Sequence, residues 1–189
     1  MSNPRAEIAR ERRRQVQVRK AFEAALARKD SEDPEFTDFY LACAEYIVFS
    51  MDRLHDQDQV IHDLLKERIP ATDTDAHQRL AVLNERQGKS RALMKTFRQG
   101  MERLKQAGQA GIQIFTDGAK KFVENFTALL APKKNPFHKH TDELFTDSDW
   151  IVIAGVTDDS LAREEALFIA VQKSAPGGID PDQMTVEHS

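Results

Sequence analysis

Residues 35–68 read EFTDFYLACAEYIVFSMDRLHDQDQVIHDLLKER, 34 positions without a glycine or a proline. Phe36, Phe39, Tyr40, Ala44, Ile47, Val48, Met51, Leu54, Val60, Ile61, Leu64 and Leu65 recur at the 3.6-residue period of an α-helix. Residues 39–51 are apolar on more than one face, so this part of the helix is expected to be buried. Asp33-Pro34 just before it is a helix-start signal, with proline at the first turn and acids beside the positive end of the helix dipole. Pro70 ends it.

The same reading extends outward in both directions. There is no glycine before Gly88 and there are only three prolines in that stretch, whereas β-architectures need frequent glycine turns. A first helix is predicted over residues 4–29, with Ile8, Val16, Val18, Phe22, Ala25 and Leu26 as its stripe. The loop 71–76 offers Thr72, Asp73 or Thr74 as an N-cap. A third helix follows over 75–106, carrying Gly88 and Gly100 inside it. A fourth runs over 112–130, with Gly118 as a point of division. APKKNP (131–136) breaks the pattern before a shorter helix over 137–145. IVIAGV (151–156) has the composition of a strand but no partner strand, so a helix end or a buried loop is preferred. A last helix spans 158–175, capped by Asp158, Asp159 or Ser160, and Gly177-Gly178 ends it.

Long helices with short breaks place neighbours antiparallel. The expected architecture is all-α: an antiparallel helical bundle with a four-helix core and extra N-terminal and C-terminal helices. The expected organisation is a basic N-terminal helix over 1–30, a helical bundle domain over 31–176 and a mobile tail over 177–189.

The formal net charge of −4 hides a gradient. Residues 1–30 hold nine Lys/Arg against four Asp/Glu, and residues 141–189 hold two against eleven. A near-neutral whole argues against general nucleic-acid binding. The cluster Arg10–Arg14 (RERRR) is left with a solvated face, a phosphate or the chain's own acidic end as its counterpart. Homo-oligomer formation through helix faces and charge complementarity is the expected partnership. No stretch approaches the roughly 18–20 apolar residues of a membrane span, and the charged N-terminus is not followed by an apolar run. A single cysteine, Cys43, forms no internal disulfide. The expected location is the cytoplasm.

No nucleotide or flavin motif, GxSxG, HExxH or CxxC is present. Cys43 reads as a small core residue. Histidine placement is what remains. His55 and His62 are seven apart, on one helix face, with Asp58 between them. His138 and Asp142 are four apart and share a face if helical. Imidazole and carboxylate groups projecting into a bundle core hold iron, manganese or zinc in helical proteins. The plainer account is a solvated face and a helix N-terminus. Glu164-Glu165 reads as first-turn acids favoured by the helix dipole, and Trp150 as a core or interface anchor.

His138-Lys139-His140-Thr141-Asp142-Glu143-Leu144-Phe145, followed by Asp149-Trp150, resembles the last helix of the hemerythrin-like (HHE cation-binding) family. Arg53-Leu54-His55 with Ile61-His62-Asp63-Leu64-Leu65 is similar to that family's first histidine-bearing helix. The likeness covers about 90 residues in separated pieces. It implies a helical metal protein concerned with iron and with oxygen or nitric-oxide sensing or storage. The pattern departs from the family where His55 is followed at i+4 by Gln59 and where the third helix has no histidine after His77. The implied site is therefore mononuclear or incomplete, drawn from His55, His62, Glu85, His138 and Asp142. His62-Asp63 is also similar to the dyad of HD phosphohydrolases, without that family's flanking ligands. The alternative is a non-catalytic helical interaction or assembly protein with a degenerate or absent metal site.

Overall fold

The computed structural model describes residues 3–130 and 137–184, with the side chains of all but 128–130, 138 and 139. The described residues are all-helical, with no strand. Helix α1 spans Pro4–Leu26 and α2 spans Thr37–Arg68. Helix α3 spans Thr74–Ala107 and α4 spans Ile112–Leu130. Three shorter helices follow: α5 (His138–Leu144), α6 (Asp147–Ala154) and α7 (Asp158–Ser174). No described helix is long and apolar enough to cross a membrane.

Local chemistry sets the boundaries. The side chain of Asn3 accepts from the Arg5 backbone N–H and Pro4 occupies the first helical position. Asp33 caps a 3₁₀ turn, Pro34–Phe36, that leads into α2. Of the three cap candidates for α3, Asp73 serves, accepting from the Ala76 N–H. Thr146 with Asp149, and Thr157 with Ser160, form capping boxes at α6 and α7. Gly155 closes α6 at φ 52°, in the left-handed region. Residues 151–154 are thus helical. Gly118 does not divide α4. At the α3–α4 turn a Cβ on Gly111 would lie 2.9 Å from the Ala107 Cβ, so only glycine fits there.

Paired contacts give the directions. Glu11 of α1 meets Arg53 of α2, while Phe22 meets Tyr40, so numbers rise along one helix as they fall along the other. Lys105 of α3 meets Glu45 of α2, and Ser90 meets His55. Phe122 of α4 stacks on Phe97 of α3, with ring centroids 4.2 Å apart. Phe168 of α7 meets Tyr46 of α2, and Arg163 lies over Phe49. Helix α2 therefore runs antiparallel to α1, α3 and α7, and α3 to α4.

The main core draws on α1, α2, α3, α4 and α7. Phe22 is fully buried and makes edge contacts with Tyr40, Phe97 and Phe115. Val18, Ala21 and Ala25 are buried with it. The basic N-terminal helix is thus part of the core, not an appendage, because its apolar stripe faces α2 and α4 while its arginines face elsewhere. A second, smaller core gathers Leu65, Ile69, Leu80, Phe137, Phe145 and Ile153 where α2, α3, α5 and α6 meet.

Residues 177–184 of the expected tail pack against the helices; residues 185–189 lie outside the described ones. Ile179 and Pro181 are buried, Gln17 donates to the Asp182 carbonyl, and Arg28 donates to the Gly177 carbonyl. The tail is held because α1 and α7 supply both an apolar seat and hydrogen-bond partners. The break predicted at 131–136 also lies outside the described residues.

Replacing Phe22 by alanine removes the ring on which three other aromatic rings rest. The expected loss of stability is about 3–5 kcal/mol, read from urea unfolding followed by circular dichroism. A loss below about 1 kcal/mol would contradict a close-packed core at this position.

Candidate functional site

Four of the five proposed metal donors, His55, His62, Glu85 and Asp142, are engaged in separate places. His55 is buried, with Nε2 2.8 Å from the Ser90 hydroxyl on α3. Burial, then the nearby Arg91 guanidinium, holds its pKa below the ordinary imidazole value. His62 points its Nδ1 at Asp63, 3.2 Å away. Glu85 is exposed and paired with Lys89 at 2.7 Å, one turn along α3. Asp142 lies 3.7 Å from Arg5. The side chain of His138 lies outside the described residues. Two histidines seven residues apart are separated by about 10.5 Å along a helix axis, against metal–nitrogen bonds of about 2.0–2.1 Å. Sharing a face therefore does not bring them to one ion. Among the described residues no group of three His, Cys, Asp or Glu side chains is placed to hold a metal. The described donors do not fit a shared ion.

The polar stretch that drew attention on α2 is met by polar positions on α3. Gln87 and Ser90 occupy the stripe that continues as Met94, Phe97, Met101 and Leu104, and both are buried. Ser90 meets His55, the Gln87 amide donates to the Asp58 carbonyl at 3.4 Å, and Arg91 reaches Gln59 at 3.1 Å. The Ser90–His55 separation is that of a nucleophile and its base. Neither residue lines either of the two cavities described below, and Ser90 sits in the middle of α3. There the flanking backbone N–H groups are committed to the helix and leave no oxyanion donors. The pair is an interhelical tie. Cys43 is fully buried and its thiol is pushed up by that burial, as a core residue should be.

The most constrained polar group is on α7. Glu164 is 1% exposed. One carboxylate oxygen accepts from the Tyr46 hydroxyl at 2.6 Å, and the other accepts from Arg14 at 2.7 Å. Arg14 also reaches Glu165 at 2.6 Å and lies over the Phe168 ring. Burial first, then the hydrogen bond to Glu164, raises the Tyr46 phenol far above its ordinary value. Beside it Glu11 accepts from Arg53 and Gln57, and Arg53 donates onward to the carbonyls of Ala154 and Gly155 at the end of α6. These two clusters border a small cleft of about 10 Å³, the room of one water molecule.

Two sequence expectations are corrected here. Glu164 is not a first-turn acid, because α7 starts at Asp158 and Glu164 lies in its second turn, buried. The signal was present: Glu164 precedes Phe168 by four and Val171 by seven, so an acid sits on the apolar stripe. The basic cluster, for its part, is not a solvated face throughout. Arg14 and Arg10 meet Glu164, Arg12 lies 3.9 Å from Asp58, and nearer the start of the helix Arg5 covers the Trp150 ring. The chain's own acidic end is the counterpart of Arg10 and Arg14, and the middle of the chain that of Arg12.

A larger concavity lies between α3 and α4, a groove of about 570 Å³. Its walls are mainly apolar, from Leu93, Phe97, Leu104, Phe115 and Phe122, with Gly100, Gly111 and Gly118 along it. Ile114 at its edge is 73% exposed. Nothing in the helical periodicity marked this groove, since Phe97, Phe115 and Phe122 read as core.

No protein-family model matches the chain, and neither a curated protein nor a solved structure does.

Two measurements follow from this geometry. Glu164→Ala strands the buried Tyr46 hydroxyl, while Arg14 keeps Glu165, and is expected to cost about 1–3 kcal/mol. Unfolding of Glu164→Ala beside Glu165→Ala checks this, since the exposed neighbour is expected to cost less than about 1 kcal/mol. The second concerns pH. Unfolded histidine takes a proton near about pH 6.5, where folded His55, with its lowered pKa, does not. Stability is thus expected to fall as pH drops below that value. The melting temperature of the wild type should decline more steeply between about pH 7 and about pH 5 than that of His55→Gln. Parallel declines would show that His55 is not held neutral.

Proposed function

We propose that this chain is a non-catalytic helical assembly protein that associates with a second copy of itself, without a working metal site. The reading takes α1–α4 as a four-helix antiparallel core, with α5–α7 clasped to it. One observation carries it. The buried polar groups of the α1–α2–α7 interface are bonded to one another, while a groove of mainly apolar lining opens between α3 and α4, with Ile114 exposed at its edge. An interior with its hydrogen bonds satisfied serves structure. An open apolar groove serves recognition.

The hemerythrin-like reading rests on His138-x3-Asp142 and on His55 and His62, and it requires a reorganisation that turns these groups toward one ion. Metal content separates the two readings. Protein purified without chelators is expected to carry iron, manganese and zinc well below one equivalent. His55→Ala and His138→Ala are expected to leave that content unchanged. One equivalent of metal, lost in both variants, would reinstate the metal reading.

A further inference from the structure

The two cores do not run into one another. On α2, Met51 belongs to the main core and Leu65 to the second, and the residues buried between them are His55 and Gln57. On α3, Leu80 belongs to the second core and Met94 to the main one, and the residues buried between them are Gln87 and Ser90. On α1, Ile8 and Val18 fall in different cores, with no buried residue between them. These three stretches lie at one level. Glu11 of α1 accepts from Arg53 and Gln57 of α2, Arg12 lies 3.9 Å from Asp58, and His55 meets Ser90 of α3 at 2.8 Å. A polar belt thus crosses each of the three helices that run through both cores. The partly buried leucines beside it take sides: Leu54 and Leu93 pack on the main core, Leu64 and Leu83 on the second. Helices α4 and α7 supply the main core alone, and residues 137–154 the second alone.

We infer that the belt divides the molecule into two units, and that the second one, residues 137–154 with the adjoining ends of α1, α2 and α3, opens and closes while the main core stays folded. Packing does not couple the two cores across the belt, so opening one forfeits the contacts of that one only. The belt groups that opening exposes exchange protein partners for water at small net cost. Helices α5 and α6 have seven and eight residues, too few to persist in water without a core beneath them, so they leave it together. The closed unit also holds polar atoms that it does not satisfy. Trp150 Nε1 and His140 Nδ1 are buried with no hydrogen-bond partner, and opening returns both to water. What holds the unit shut, besides its small core, is a set of arginine ties: Arg68 to Asp149 and to the Leu144 carbonyl, and Arg53 to the Ala154 carbonyl. Opened, it bares Leu65, Ile69 and Leu80 as an apolar seat on a framework that remains intact.

The test is native-state hydrogen exchange of the full-length chain, followed amide by amide by NMR over a range of concentrations. Amides of α6, of α2 around Leu65 and of α3 around Leu80 are expected to share one protection factor, about a hundredfold or more below that of amides around Tyr46, Phe97 and Phe122. The difference is expected to be the same at every concentration, which separates it from self-association. Phe145→Leu, in the second core, is expected to lower the protection of the first group by roughly tenfold and to leave the second group unchanged. Phe115→Leu, in the main core, is expected to lower the second group and leave the first unchanged. The triple variant His55→Leu/Gln87→Leu/Ser90→Ala fills the belt with apolar side chains and is expected to narrow the gap, because packing then joins the cores. A single protection factor for both cores in the wild type, or a Phe145→Leu variant that lowers both alike, overturns the division. Second-core amides that respond one helix at a time overturn the opening as a unit. A gap unchanged in the triple variant overturns the belt as its origin.

Discussion

The bond between Glu164 and its two partners is what the placement of the C-terminal third depends on. A carboxylate brought out of water costs several kcal/mol unless its oxygens are met. Here Tyr46 of α2 and Arg14 of α1 meet them, at 2.6 and 2.7 Å. Three helices are fixed in register by that single group. Sliding α7 by a turn would strand the carboxylate and leave the Tyr46 hydroxyl without an acceptor. Arg53 extends the constraint: it holds Glu11 on one side and the carbonyl ends of α6 on the other. The loop between α6 and α7 is therefore tied to α2 by charge-assisted bonds at the same level as the Glu164 clasp.

The second core depends on the first for its position. Once α6 is tied to α2, Ile153 and Ala154 are brought over Leu65 and Ile69. Arg68 then pairs with Asp149 at 2.6 Å and draws that carboxyl well below its usual range. The same Asp149 closes the capping box of α6. One carboxylate thus both starts a helix and anchors it to α2.

How much of this was legible follows from what one helix can disclose about its neighbour. The extent of α2, the caps at Asp73 and Asp33, and the helical state of residues 151–154 all arise from local spacing and local hydrogen bonds, and they were readable. The pairing of His55 with Ser90 was not, because it depends on which position of α3 faces that turn of α2. His55, Asp58 and His62 looked like a donor set because their helix was read alone. His55, the Asp58 carbonyl and Gln59 instead meet Ser90, Gln87 and Arg91 in a polar layer between two helices, and His62 stays with Asp63 on its own helix. Glu164 was the readable miss: an acid at i−4 from Phe168 on an apolar stripe announces a buried partner, though not which one.

The charge gradient along the chain is resolved inside the fold. Arg5, Arg10 and Arg14 of α1 meet Asp142, Glu164 and Glu165 of the acidic end, while Arg12 meets Asp58 in the middle of the chain. This pairing leaves little net field to steer a polyanion. It also separates the two sides of the molecule by function. The α1–α2–α7 side is closed by buried ion pairs that fix orientation. The α3–α4 side keeps its rim charges unpaired around an apolar groove. The feature that first suggested assembly, opposite charge at the two ends of the sequence, therefore acts within one chain.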